Sequence, residues 1–392
     1  MQPASIYRLH GPSAWPEAPT TFSFSSLSTM EACPLQWQLV RARYEALERF
    51  PARPHPAAVE GDIVHRTLDR VFKSLAIAGL PGIGTAEFRE EVARVDVKRT
   101  VEELLEEHQA RLAQHPRGSG FRLRVGPQQL VNQVIRLFRA EYSKAAADPV
   151  PASSFRRASA SEELRPDQLL ALLRARGAIS ELRLEHPSLP FVGIIDLVRA
   201  DEHEVAVVDF KTGEPKPAHE AQVLAYAVLW WSNTGRSPDR VEVRYPSGAK
   251  MLPVEPGVLA EIEQQLGQRI EAIASTLTRP PARAQPGDHC RYCDVRQFCD
   301  TYWTGTPSEL PAAKTTGSRS VDIELTVDGT PGSNGFPATT ASGSPCPVVH
   351  ASDGSKVHGP FVDGETLRIL NARVAASGDA VELMPWTEVF HR

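Results

Sequence analysis

The chain has 392 residues, 41% of them hydrophobic, enough to bury more than one core. Its formal net charge of −5 excludes a generally basic coat, so any contact with nucleic acid is expected to be local. No uninterrupted apolar run approaches ~18 residues, which excludes a transmembrane helix, and no secretory signal is legible, so the expectation is a cytoplasmic protein with no membrane partner.

Residues 1–20 hold four prolines and little periodicity, and read as a flexible arm. The serines from Ser23 to Ser28 then suit the capping of a helix that carries Cys33 and Trp37. Segments 60–78, 86–113 and 126–147 place apolar residues at helical spacing. Strands are predicted at 179–186, 191–199 and 204–211, followed by a helix with Gln222 and Tyr226, a strand at 240–245 and a helix over 256–277. Beyond Tyr302 the composition changes. Residues 304–319, rich in Thr, Ser, Pro, Ala and Gly, read as a linker, and 320–392 alternates in the manner of strands at 321–327, 366–374, 380–384 and 387–390. The division is therefore an arm (1–20), a main domain (21–303), a linker (304–319) and a small all-β module (320–392).

Chemistry concentrates in the main domain. Val205 to Val208 is a buried-strand pattern, and the period of two puts Asp209 and Lys211 on one face. The neighbouring strand brings Asp196 as a second carboxylate. Two hard oxygen donors can bind Mg²⁺ and leave positions for water and a phosphate oxygen. Acid-x-Lys alone is common on ordinary strands, so the weight rests on what accompanies it. Gly61 stands four residues before His65 at the start of an apolar helical face, and Gln222 and Tyr226 share a face of a later helix.

In that order these segments resemble the PD-(D/E)XK nuclease superfamily in its RecB-like and Cas4-like branch: G-x-x-x-H at Gly61 and His65, G-x-x-D at Gly193 and Asp196, (D/E)-x-K-T-G from Asp209 to Gly213, and Q-x-x-x-Y at Gln222 and Tyr226. The resemblance implies an α/β restriction-endonuclease-like core with inserted helices. It implies metal ligation of Mg²⁺ or Mn²⁺ by His65, Asp196 and Asp209, a charge-stabilising Lys211, and supporting roles for Gln222 and Tyr226. Glu185 is a further acid near the same strands.

Five cysteines occur, and Cys290, Cys293 and Cys299 form a C-x2-C-x5-C cluster with Cys33 far upstream. Such thiolates suit an iron–sulfur cluster or zinc, and without a secretory signal disulfides are not expected. The pattern resembles the iron–sulfur staple of Cas4, AddB-type and Dna2-type nuclease domains, which implies a [4Fe–4S] cluster on Cys33, Cys290, Cys293 and Cys299, with Zn²⁺ as the alternative. Cys346 stands apart as a free thiol.

The implied function is a metal-dependent deoxyribonuclease acting on single-stranded or end-bearing DNA, in repair, CRISPR adaptation or phage defence. The alternative is a catalytically silent DNA-binding or scaffold subunit of a larger complex. No G-x-x-x-x-G-K-[ST] run occurs, so unwinding would come from a helicase, and an integrase-type protein is another partner to expect. Arg117, Arg122, Arg124, Arg156 and Arg157 are candidates for a local basic patch. The last strands of the β-module loosely resemble an OB-fold, with Phe336, Phe361, Trp386 and Phe390 as possible base platforms. The module carries more acids than bases, which suits a protein contact equally well.

Overall fold

The alternation read from residues 178–252 builds one five-stranded sheet. A computed structural model describes residues 7–45, 47–79, 84–145, 166–200, 204–305, 320–332, 334–350 and 360–392. In it β1 (Ala178–Glu185), β2 (Val192–Ala200), β3 (Val205–Phe210), β4 (Arg240–Tyr245) and β5 (Gly248–Leu252) lie side by side in chain order. All neighbours are antiparallel except β3 and β4. A parallel pair needs a crossover, and α8 (Pro217–Thr234) provides it.

Both faces of the sheet are covered. On one side α3 (Pro56–Ile77), α5 (Val97–Gln114) and α6 (Pro127–Ala145) bury Ile63, Leu68, Val101 and Val134 against Leu197, Val208 and Phe210. On the other, α1 (Phe24–Ala32), α8 and α9 (Pro256–Leu277) bury Leu27, Trp230 and Ile270 against Val198, Val207 and Val243. Each fully buried Leu, Val or Phe contributes roughly 1.5–3 kcal/mol, so this α/β/α sandwich rests on both layers.

Two boundaries differ from the sequence reading, each for a local reason. The helix expected across Cys33 is two, α1 and α2 (Pro34–Arg41), because the residue before a proline is forced out of helical backbone, and Cys33 takes φ −160°. The helix expected over 86–113 breaks at Asp96, between α4 (Ala86–Val95) and α5; Asp96 adopts φ 45° and its carboxylate accepts from Arg99 N at 3.1 Å. Two elements had no sequence expectation, α7 (Pro166–Arg176) and the edge strand β5.

The arm expected over 1–20 is tied down where it is described. Tyr7 is buried, Leu9 N donates to His391 O at 2.7 Å, and Ala14 bridges Arg43. Residues 1–6 lie outside the described residues, as do Arg156, Arg157 and the linker from 306 to 319; Thr304 and Gly305 end α10 (Asp300–Gly305).

The β-module is a second sheet, of seven strands: β6 (Ser320–Val327), β7 (Gly335–Phe336), β8 (Ala338–Thr340), β9 (Val348–His350), β10 (Thr366–Val374), β11 (Val381–Leu383) and β12 (Glu388–His391). Its order is β7-β9-β11-β10-β6-β8, with β12 also on β10. Cys346 is buried in its core. The module is docked: Leu370 and Phe390 share an apolar cluster with Tyr44, Phe50, Cys293 and Trp303. Arg296 reaches across to Asp322 at 2.5 Å and to Asn371 at 3.2 Å. Among the described residues no helix is long and apolar enough to cross a membrane.

Candidate active site

Sheet and helices meet in a cleft at the end of β2 and β3. Their ladder stops at the pair Leu197–Val208, and the next N–H in line, that of Phe210, donates instead to Asp196 Oδ2 at 2.7 Å. One step along, Asp209 stands opposite Asp196. Strict alternation would put Ile195 and Leu197 on one face, yet Ile195 packs in the α8-side core and Leu197 in the α3-side core, so β2 turns over at Asp196. The turnover brings Asp196 Oδ1 to 3.4 Å from His65 Nδ1 on α3.

The same row continues into β1. Glu181, flanked by the pairs Ser180–Leu197 and Leu182–Ile195, faces Asp196 and has φ 50°, a left-handed backbone that costs a non-glycine residue about 1–3 kcal/mol. Its carboxylate, a His65 nitrogen and an Asp196 oxygen lie within 4.8 Å of one another. The sequence pointed to Glu185 as the extra acid; Glu185 instead pairs with Arg183 at the strand end. Lys211, just past β3, holds its ammonium 2.7 Å from Asp209 Oδ2, but off the line of a hydrogen bond. The expectation that Asp209 and Lys211 share a face agrees with that distance.

Behind the row, Gln222 donates to the Tyr226 hydroxyl at 2.7 Å. Gly193 lets that helix approach: a Cβ there would stand 2.7 Å from Leu229 Cδ1 and 2.9 Å from Tyr226 Cε1, closer than side chains tolerate. Gly61 has no such role, since a Cβ there would meet Thr212 Oγ1 at an ordinary 3.9 Å.

The charges in the cleft are only partly compensated. Burial, and then the charge of Asp196, raises the pKa of Asp209 to about 7 against the pull of Lys211. Glu181, though largely exposed, is pushed to about 7 by partial desolvation, then by Asp196 and Asp69. Burial also works against an ionised Asp196, but His65, Lys211 and the Phe210 N–H outweigh it and hold its pKa below the ordinary value. In return Asp196 keeps the pKa of His65 raised despite burial. Glu181, Asp196 and His65 form a donor set of hard oxygens and imidazole that suits a divalent cation, and Asp209, paired with Lys211, stands next to that set rather than within it.

A family model for the PD-(D/E)XK nuclease superfamily matches residues 21–300. The chain belongs to that superfamily. Members of that superfamily are nucleases that hydrolyse phosphodiester bonds, generally with Mg²⁺ or Mn²⁺. No curated protein matches the chain. Among solved structures, that of the tetrameric p202 HIN2 is 18% identical over 20% of this chain and 44% of its own, at a TM-score of 0.17. That of SSO0001 is 16% identical over 35% and 68%, at 0.21. That of a murine DNA-binding protein bound with double-stranded DNA is 12% identical over 55% and 93%, at 0.18. The chain thus spans under half of the first of these structures. At such scores none bears on the fold or the function of this PD-(D/E)XK chain.

Away from the cleft, Cys33, Cys290, Cys293 and Cys299 line one pocket with Leu35 and Leu39. Cys33 comes from the α1–α2 break, Cys290 and Cys293 from a 3-10 turn at Asp288–Tyr292, and Cys299 from the end of another at Arg296–Phe298. Burial raises the pKa of Cys299 and takes that of Cys293 to about 12, so the buried thiols are neutral unless a metal ionises them.

The candidate phosphate contacts fare differently. Arg117 is buried as the partner of Glu388, and Arg124 holds Glu60. Of the proposed base platforms, Phe336 and Phe390 are core; Phe361 stacks on His391; Trp386 is exposed.

Proposed function

We propose that the protein is a metal-dependent deoxyribonuclease of the RecB-like and Cas4-like branch that hydrolyses single-stranded or end-bearing DNA. The observation that carries this is the cross-strand row of Glu181, Asp196 and Asp209, closed by His65 and Lys211 in one cleft. The donor set fits Mg²⁺ or Mn²⁺: Asp209 Oδ2 is buried with a charge beside it but no aligned donor, leaving a lone pair free to ligate. Asp196, Asp209 and His65, joined by Glu181, would hold the ion. When bound, it polarises the scissile phosphate and makes a water acidic enough to attack. Lys211 keeps a positive charge at the edge of the row, where it offsets charge developing on the phosphate. Tyr226 sets the packing of α8 against Gly193, and its hydroxyl, which accepts from Gln222, feels the charges of Asp209, Asp196 and Glu181, so the pair supports the cleft from behind.

The four cysteines fit a soft metal group, and a [4Fe–4S] cluster is the reading that the branch supports, with Zn²⁺ as its competitor. Held by thiols from both ends of the nuclease region (21–303), the group would be structural. Residues 320–392 would form a small β-module of small-barrel, OB-like type.

The test uses labelled single-stranded DNA with Mn²⁺. Cleavage should vanish with EDTA and fall about 10²- to 10³-fold in Lys211→Ala. A folded Lys211→Ala protein that cleaves at the wild-type rate overturns the site, and wild-type cleavage that persists in EDTA overturns the metal. Anaerobic protein should contain iron and sulfide that Cys33→Ser removes; stoichiometric zinc without iron decides for zinc.

A further inference from the structure

The docked module creates a further pocket, distinct from the cleft, with a largely apolar wall edged by charged side chains. It has a volume of about 240 Å³ and lies on the seam where Arg53, Arg117, Phe121 and Arg122 face Trp386 and Glu388. Glu388 is the one acid in its wall and is already spent: Arg117 Nε and Nη2 donate to it at 2.6 and 3.0 Å, and Arg53 pairs with it as well. The wall therefore keeps a positive excess. Arg122 is exposed, with no ion-pair partner among the described residues.

Trp386 is 48% exposed, the one such tryptophan among the exposed large apolar side chains, and its backbone is locked. Gly120, at φ 72°, has no space for a side chain, since a Cβ would stand 3.1 Å from Trp386 Cβ and 3.2 Å from Trp386 N. Beside it Ser119 Oγ donates to Pro385 O at 2.8 Å. An exposed indole on a fixed backbone, in the same pocket wall as a free guanidinium, is the pairing that takes one base by stacking and one phosphate by charge. A base inside a duplex has no free face to offer, so the chemistry selects an unpaired nucleotide.

The pocket is also in reach of the cleft. Pro56 in its wall begins α3, and His65 lies nine residues along that helix, roughly 14 Å at 1.5 Å per residue. Such a span is at most about four nucleotides at the 3.4 Å duplex rise, and fewer in an extended strand.

We propose that this seam pocket is a binding subsite for single-stranded DNA, with Trp386 stacking a base and Arg122 contacting a phosphate, feeding the strand toward the cleft at His65. The inference rests on the nuclease reading above and adds the substrate form and a residue pair, of which Trp386 lies beyond the matched region. It also reconciles a β-module with an acid excess and a role in strand binding, because Arg53, Arg117 and Arg122 come from the nuclease side.

The experiment measures the affinity of the full-length protein for a short labelled oligothymidylate, by anisotropy without divalent metal, at two salt concentrations. Trp386→Ala keeps the Cβ that Gly120 packs against; it should weaken binding about 10-fold, within the range known for one stacked base, while Trp386→Phe stays near wild type. Arg122→Ala should lower the slope of log affinity against log salt by about 0.7. Hydrolysis of bis-p-nitrophenyl phosphate, which needs only the metal cleft, should be unchanged in both. If the wild type fails to hydrolyse that ester with Mn²⁺, the nuclease reading falls. If the ester is hydrolysed but Trp386→Ala and Arg122→Ala bind the strand as the wild type does, the subsite alone falls. Loss of a co-purified protein at unchanged strand affinity would give the pocket to a protein partner and overturn the subsite too.

Discussion

The cleft and the seam both bury carboxylates, and they treat them in opposite ways. At the seam every acid has a cation or donor: Glu388 lies between Arg117 and Arg53, and Asp322 takes Arg296, the Tyr302 hydroxyl and the Asn371 N–H. Arg117 and Arg53 outweigh the desolvation of Glu388 and lower its pKa to about 2. In the cleft Asp209, with like charge beside it, goes up to about 7. The seam spends its charges on holding two sheets together. The cleft sets three acids against one lysine and one histidine and so keeps an acid excess, which favours a cation, and a folded protein accepts that cost where chemistry needs it.

The largest effect should come from spoiling the cleft's imbalance. Asp209→Asn should lower Mn²⁺-dependent cleavage about 10³-fold, yet raise the metal-free unfolding free energy by roughly 1–3 kcal/mol, because a buried like-charge contact is gone. A urea titration that shows Asp209→Asn to be less stable than wild type would break the contrast.

At the seam the same neutralisation should act the other way. Glu388→Gln leaves Arg117 buried without its counter-charge and should cost about 3–5 kcal/mol. The pH dependence has a definite sign: a carboxylate with a lowered folded pKa stabilises above its unfolded value and loses that contribution as pH falls through the folded one. From an ordinary value of 4.5 to about 2, the wild type should lose roughly 3 kcal/mol from this group as pH falls through that window. Glu388→Gln should flatten that part of the curve; an unchanged slope would remove Glu388 as its source.

Packing around the cleft comes next. Gly193→Ala drives a methyl against Leu229 and Tyr226 and should cost about 1–3 kcal/mol, with cleavage reduced through the displaced α8. Calorimetry reads the first and the cleavage assay the second; a neutral substitution would mean that α8 can move away freely.

The smallest effect isolates backbone strain. Because residue 181 is left-handed, Glu181→Gly should be more stable than Glu181→Ala by about 1 kcal/mol. Both should bind Mn²⁺ more weakly than the wild type, to an equal extent, if the carboxylate is a ligand. Equal stabilities would show that the strand relaxes to ordinary backbone once the acid is lost.

Much of this was legible because it is local. The apolar run of β3, the helix at 256–277 and the long strand at 366–374 follow from periodicity, and the spacing of Asp209 and Lys211 by two residues places their heads together whatever the rest of the fold does. Gly193 was legible as part of a pattern, although its reason, the close approach of Tyr226, was not. Arg117 read as a phosphate contact because its partner Glu388 is 271 residues away. The break at Cys33 is local as well, since Pro34 forces the residue before it out of helical backbone.

What the sequence by itself determined is the identity and order of the candidate site groups: a histidine, two aspartates, a lysine and four cysteines at spacings that local backbone geometry turns into strand faces and helix faces. The tertiary structure alone decided which other groups join them. Glu181 enters the metal row through cross-strand register and a left-handed kink, Glu185 is left outside it, and Trp386 becomes a platform only because Gly120 fixes it across the seam. The physical reason is range. Periodicity and steric limits act within a few residues, whereas register, docking and the pairing of buried charge are set by contacts between segments far apart in the chain.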